Sequence, residues 1–429
     1  MQRRHYLAAT ASLCLAGCLT SRWVDSAPAE ADSNASDIDP PPRPESGDPP
    51  PTGDPGLVGT IDDFETLDSW EVFGATLSPD PSRSVVGTQS ARLEIPAAER
   101  TGGLTATFAE PRDLADVVPG LAVASKGLVV PWLRLTDDDG REIDYRRGIK
   151  GGLPLVRYNF GIDAVAANFD PTAVRKLSIL VRTNAGEAET VWLDDLHLVP
   201  RPDTGKVMFQ FDDAHVTDYT KALPTLEEYG YPAVSFVNPG RIEAEMRGAD
   251  DPGGFPRLTA DHLHELHDAG WVIGNHCYSH PHLSTLETET QESEIKRGKD
   301  WLEAKGFEDG ARYFAYPHGD YDERTLALVE RHHDLGFAGG RPVQGYAVNP
   351  RQMSRIGEPT AERARTAIER TASMRGITAL FFHRLEGDTL AAFEAAVETV
   401  HEYRSAGELD VILPADLEGP LRFDSYSSN

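Results

Sequence analysis

The 429-residue chain is poor in lysine, in cysteine and in long apolar runs. Only eight of its 41 basic residues are Lys, against 69 acidic residues, and the formal net charge is -28. So little positive charge excludes nucleic acid as a partner, because phosphate binding needs a basic face. Three cysteines exclude a disulfide framework. Cys14 and Cys18 fall near the N-terminus, which leaves Cys277 as the one thiol of the folded part. The N-terminal apolar run is too short to span a bilayer.

What is present begins with a targeting segment, residues 1–18. Arg3-Arg4 opens it, and Leu15-Ala16-Gly17-Cys18 closes it. The ending resembles a lipoprotein signal cleaved before Cys18, whose sulfur then receives a lipid. The paired arginines resemble a twin-arginine export signal, with Tyr6 where such signals more often carry Phe. The expectation is a chain outside the cytoplasmic membrane, anchored through Cys18 or secreted, and monomeric. Its acid-rich, Lys-poor composition resembles that of proteins from salt-loving archaea, where ionic strength screens self-repulsion. An ordinary acidic secreted protein is the alternative. Residues 19–56 read as a tether, dense in Pro, Asp, Ser and Ala, which cannot bury enough surface to fold. It carries a glycosylation sequon, Asn34-Ala35-Ser36.

Residues 57–200 read as all-β. Short alternating runs at 90–95, 104–108, 128–135, 177–181 and 190–199 are separated by turn residues, the pattern of a sandwich. Its opening, Ile61-Asp62-Asp63-Phe64-Glu65, and its close, Val191 to Leu198, resemble jelly-roll carbohydrate-binding modules. In that fold the first and last strands are often neighbours. The resemblance makes Asp63, Glu65 and Asp195 candidate ligands of a structural calcium, with solvated turn acids as the alternative. Trp70 and Trp192 are read as core residues, with sugar-stacking platforms as the alternative.

From residue 205 to 420 the pattern becomes alternating strands and helices, with 421–429 as a tail. Strands are expected over 206–211, 232–238, 271–275, 313–316, from 337, and over 377–382 and 410–413. Helices are expected over 223–229, 259–269, 284–305, 323–333, 360–374 and 389–405, with Gly230 and Gly270 as stops and Thr259 as a cap. About seven β–α units favour a barrel, whose C-terminal strand ends carry the chemistry.

The first of these strands ends in Asp212-Asp213, two adjacent carboxylates that repel and need a compensating cation. The third runs into His276-Cys277-Tyr278-Ser279-His280-Pro281, the next into Tyr316-Pro317-His318-Gly319, and a late one ends at His383. Two histidines four apart with one carboxylate make a metal site with open positions. A metal there lowers the pKa of water and polarises a carbonyl. The spare carboxylate takes the water's proton, and a separate acid protonates the leaving group. Two histidines and a carboxylate also suit a non-haem iron oxygenase, which the paired Asp and the late acid-bearing strand disfavour.

Phe211-Asp212-Asp213, His276-x-x-x-His280-Pro281, Tyr316-Pro317-His318-Gly319 and the strand ending in His383, in this order, resemble the polysaccharide deacetylases of carbohydrate esterase family four, the NodB-homology domain. The resemblance implies a distorted (β/α)7 barrel and metal-dependent removal of acetyl groups from N- or O-acetylated polysaccharide. It implies Asp212 as general base, Asp213, His276 and His280 as metal ligands, His383 as general acid and the His318 backbone N–H as oxyanion donor. Zinc suits the ligand set; cobalt, nickel or iron are the alternatives. Ala214 stands where the family has Gly, and Ala315 where many members carry an Arg that orients the base. Arg355, in Met353-Ser354-Arg355-Ile356-Gly357, is the candidate substitute for that Arg. A sugar-binding surface protein whose barrel has lost activity is the competing reading. His282 and Cys277 are read as bystanders, His332 and His333 as helix-end cations, and His262, His264 and His267 as surface residues.

Overall fold

The computed structural model describes residues 59–184, 186–246 and 254–418. The signal, Cys18, the tether with its sequon, and the tail from 421 lie outside the described residues.

Residues 59–200 form two six-stranded antiparallel sheets. One runs in the order Thr76–Asp80, Ser90–Ile95, Glu189–Pro200, Val117–Ser125, Val156–Asn159, with Gly59–Asp62 also paired to Glu189–Pro200. The first and last strands are therefore neighbours, with Thr60 opposite His197. The other runs Gly161–Val165, Glu142–Arg146, Val130–Asp137, Val174–Arg182, Thr101–Arg112, Glu71–Phe73. Strict alternation along Val130–Asp137 sends Leu133 and Leu135 inward and leaves Trp132 and Arg134 half-exposed, the period of two of a strand with one covered face. Leu93, Leu121 and Leu193 of the first sheet meet Leu104, Leu133 and Ile179 of the second in one core. Trp70 belongs to that core, stacked on Phe64 at 5.6 Å. Trp192 is buried too, its Nε1–H donating to Asp80 Oδ2 at 2.7 Å and its ring covered by Arg83. Neither ring offers a free face to a sugar.

The structure places the three candidate calcium ligands as follows. Asp63 is exposed, and its Oδ1 accepts the Glu65 N–H at 3.1 Å. Glu65 accepts from the N–H and hydroxyl of Thr88, each at 2.7 Å. Asp195 is buried and ion-paired with Arg157. Asp195 Oδ1 accepts no hydrogen bond. Among the described residues the three are not part of any metal-binding cluster of His, Cys, Asp or Glu side chains.

Four residues after Glu189–Pro200, the chain enters a parallel sheet. Its order is Leu335–Phe337, Tyr313–Ala315, Val272–Asn275, Val234–Val237, Gly205–Asp212, Ile377–Phe382, Ile356–Gly357. A single parallel bridge between Phe337 and Met353 joins the two ends, consistent with a distorted (β/α) barrel. Several elements follow directly from the sequence. Helix Leu223–Tyr229 stops at Gly230, whose φ of 66° suits a residue without Cβ. Thr259 caps helix Ala260–Asp268 with a reciprocal capping box, a device contributing about 1 kcal/mol.

Other expectations need correction. Phe337 ends its strand rather than opening it. The last strand is Leu409–Val411 and pairs with the start of Gly205–Asp212. The helix expected from 284 begins at Thr288, after the 3-10 turn Leu283–Thr285. Helix Pro239–Met246 and strand Ile356–Gly357 were not anticipated. His333 is no helix-end cation. It is buried, its Nε2 lies 3.0 Å from Asn275 Nδ2, and burial pushes its pKa well down, so it is neutral.

Candidate active site

The strand Gly205–Asp212 has two faces, as its alternation implies. Val207, Phe209 and Phe211 enter the core between sheet and helices, where Phe211 stacks on Trp271 at 5.1 Å and meets Phe393 edge-on at 5.6 Å. Met208, Gln210 and Asp212 take the opposite face, and all three are buried. The chain then turns sharply, with φ of 77° at Asp213 and 55° at Ala214. A Gly at 214 would hold this conformation freely; Ala holds it at a cost of roughly 1 kcal/mol or more. Cys277, His280, His318 and Glu358 also have positive φ. Six of the eleven non-glycine residues in that region of backbone space among the described residues thus gather around the strand tips, as is common where side chains are aimed for function.

Asp212 is compensated by Arg355. Its Nη1 donates to Asp212 Oδ1 at 2.9 Å and its Nη2 to Oδ2 at 2.8 Å, both residues being almost wholly buried. The guanidinium also lies 4.0 Å over the Phe381 ring and donates to Ala338 O. Burial by itself raises the Asp212 carboxyl; Arg355 first, then His276, outweigh it and hold the pKa below the usual carboxylate value. The cation beside Asp212 thus comes from the strand Ile356–Gly357 side of the ring.

Asp213, His276 and His280 place one ligand atom each within 4.8 Å of one another. The His276 Nδ1–H donates to Ala315 O at 2.7 Å, which fixes the tautomer and leaves the Nε2 lone pair facing inward. That Nε2 is 3.8 Å from Asp213 Oδ1, and His280 Nε2 is 3.2 Å from the same oxygen. Burial pushes His276 down and His280 to about 2, so both are neutral. Asp213 Oδ1 is buried and accepts no hydrogen bond; Arg241 Nη1 stands 3.0 Å away without hydrogen-bond geometry. Converging lone pairs around an orphaned carboxylate oxygen fit a divalent metal.

His383 follows the strand Ile377–Phe382. Its Nδ1 is 3.0 Å from Glu358 Oε1. Burial lowers its pKa, but the Glu358 hydrogen bond and the charges of Asp212 and Asp213 outweigh that and raise it. His318 lies against His280 at 4.2 Å between ring centres, and His282 stacks on His318 at 3.8 Å. The four histidines 276, 280, 318 and 282 thus run in file from the buried triad to the surface. Cys277 is fully buried, and burial raises its thiol well above the ordinary value, so it is neither ligand nor nucleophile. His264 packs on Phe307, and His267 faces Asp309 at 3.3 Å.

Sequence reasoning missed Glu358 and Arg241. Nothing in a lone Glu or Arg marks it; position immediately after a strand was the available signal for Glu358. It also missed Asp218, a fully buried carboxyl bonded to the Ser235 hydroxyl at 2.8 Å, and His215, which lies 3.1 Å from Arg257.

Residues 200–336 match a family model described as polysaccharide deacetylase. A putative polysaccharide deacetylase of Bacillus subtilis is 28% identical over 131 residues, covering 30% of this chain and 43% of the relative. A poly-beta-1,6-N-acetyl-D-glucosamine N-deacetylase of Staphylococcus aureus is 24% identical over 153 residues, covering 34% and 50%. The chain spans about half the length of the curated relatives it matches. Among solved structures, a family 4 carbohydrate esterase from Streptomyces lividans in complex with acetate aligns over 49% of this chain and 92% of that one, at 18% identity and a TM-score of 0.36. Over residues 200–336 the chain is thus similar to polysaccharide deacetylases.

Proposed function

We propose that the barrel is a metal-dependent hydrolase that removes acetyl groups from N- or O-acetylated sugars of a cell-surface or extracellular polysaccharide. The observation that carries this reading is the pairing of two sites: the triad Asp213, His276 and His280, and beside it Asp212, a carboxylate kept anionic by Arg355. A divalent metal, zinc by its ligand set, would be held by the triad and would supply a Lewis acid for the acetyl carbonyl and for water.

The chain's own groups do the rest. Asp212 takes a proton from the attacking water as the new C–O bond forms at the acetyl carbon. Arg355 keeps that carboxylate charged and fixes its plane. The His318 backbone N–H would donate to the developing oxyanion. His383, charged and oriented by Glu358, gives its proton to the leaving amine or alcohol as the C–N or C–O bond breaks. The products are acetate and the free sugar amine or hydroxyl. The proton that Asp212 gained and the one that His383 lost balance through solvent.

The test is acetate release from N-acetylglucosamine oligomers, peptidoglycan-like glycan and acetylated xylan, in molar salt with zinc, for wild type and Asp212→Asn. Acetate from one of them, abolished by the substitution, supports the reading and names the substrate class. No acetate from a metal-loaded protein sinks it and leaves a binding role. Lipid attachment at Cys18 outside the cytoplasmic membrane completes the proposal and is tested by mass spectrometry of the membrane-extracted protein.

A further inference from the structure

Six of the seven barrel strands are followed by at least one α-helix. Between Leu335–Phe337 and Ile356–Gly357 the chain makes only the 3-10 turn Pro350–Gln352. The side a helix would cover is held by the β-sandwich. Asn159 accepts the Val348 N–H at 2.8 Å and donates to Tyr346 O at 2.8 Å. Asn349 Nδ2 donates to Arg157 O at 3.1 Å. The Ile162 N–H donates to Pro342 O at 3.1 Å.

Arg147 reaches the same segment and is only 2% exposed. It donates to Gln352 O at 3.2 Å and to the Ser354 hydroxyl. Ser354 is the residue before Arg355. A Cβ on Gly340 would come within 2.5 Å of both Arg147 Nη1 and Ser354 Oγ, so the backbone presses directly on this contact. Among the described residues no carboxylate pairs with Arg147. The guanidinium also lies 5.6 Å from the centre of the Tyr158 ring, but burying it without a counter-ion is costly, and packing could be had from an apolar side chain without that cost.

Three residues on, Lys150 donates to Tyr321 O and lies 3.3 Å from Asp320 Oδ1. Asp320 accepts the Ser284 N–H at 2.9 Å and its hydroxyl at 2.7 Å. It thereby ties the turn holding His318 to the turn that follows His280 and His282. Two cations of one sandwich connection thus stand behind two walls of the barrel site.

We propose that Arg147 is a positioning residue for the barrel's reaction. It fixes the Gln352 carbonyl and Ser354, and through them sets Arg355 against Asp212. Lys150 holds the His318 turn in the same way. The β-sandwich is part of the active-site architecture rather than a separable sugar-binding module. The inference rests on the deacetylase reading for its kinetic readout.

The experiment uses the full chain with measured metal content: Arg147→Met, Arg147→Lys, Ser354→Ala, Lys150→Met, and Asp116→Asn as a control that breaks only the exposed interface pair with Arg375. Arg147→Met and Ser354→Ala should lower kcat about tenfold or more with KM within about twofold, since sub-ångström misplacement acts on the chemical step. Arg147→Lys should recover part of the loss, and Asp116→Asn should match wild type. Amide exchange over 350–357 should accelerate in both impaired variants. If Arg147→Met does not fold, Ser354→Ala and Lys150→Met decide. Turnover within twofold of wild type per loaded enzyme, or unchanged exchange over 350–357, overturns the proposal. A wild type that releases no acetate removes the deacetylase reading, and the exchange measurement still decides the clamp.

Discussion

Arg355 and Asp212, 143 residues apart in sequence, meet in a buried two-pronged ion pair at 2.8 and 2.9 Å. Removing one partner leaves an uncompensated buried charge, so Arg355→Ala should cost about 3–5 kcal/mol of stability. Turnover should fall roughly a hundredfold, the order of a general-base contribution. The sign of the pH effect follows from the depressed Asp212 pKa. Its stabilisation is present above the ordinary carboxylate pKa and is lost as pH falls through the folded value. In Arg355→Ala the acidic limb of the rate profile should move to higher pH, and acid should destabilise the variant less steeply than wild type. An unmoved limb would separate Arg355 from Asp212 in function.

His383 titrates in the opposite sense. Its pKa is raised, with Glu358 as the first of the raising influences, so its stabilising contribution is full below the ordinary imidazole value and fades as pH rises through the folded one. Glu358→Gln should therefore shift the alkaline limb of kcat to lower pH and lower kcat by roughly tenfold. Steady-state rates across pH 5–10 check this; an unchanged alkaline limb would assign the acid elsewhere.

The triad makes a prediction that needs no substrate. Neutral, buried imidazoles and an ionised Asp213 require no proton to leave when a cation arrives near neutral pH. As pH falls from 8, bound zinc per chain should stay constant down to the ordinary imidazole value of about 6.5 and decline only below it. His280→Ala should abolish stoichiometric binding. At a hundredfold excess over Kd, zinc should add about 2.7 kcal/mol to stability, read as a rise in Tm that a chelator reverses.

A net charge of -28 makes the folded chain repel itself. Screening at molar salt shortens the reach of that repulsion to about 3 Å. Both Tm and acetate release should rise from low to molar KCl. An optimum near zero salt would reject the halophilic reading.

The elements that were legible in the sequence carry strong local signals. Ile377–Phe382 is a bare apolar run, Leu223–Tyr229 ends at a glycine, and Thr259 caps its helix. The converging Asp213, His276 and His280 were legible because each sits at a strand tip within an ordered set of motifs. Ile356–Gly357 was not, since two residues show no period. Helix Pro239–Met246 follows its strand after the single residue Asn238, and its opening Pro239-Gly240 carries a turn signal rather than an apolar period. That Arg157, from a strand two places along the sheet, pairs with Asp195 leaves no mark in the sequence.

The absent helix between Phe337 and Ile356 bears on how the molecule assembles. The contacts that hold this segment reach back about 190 to 210 positions in sequence, as from Val348 to Asn159 and from Ser354 to Arg147. Synthesis delivers the sandwich first, so it stands ready as a template when the barrel strands emerge. The ring has one weak joint, the single bridge from Phe337 to Met353, and that joint closes against the earlier-made surface. Asp212 therefore gains its partner late, and the site comes into being only as the chain completes its last third.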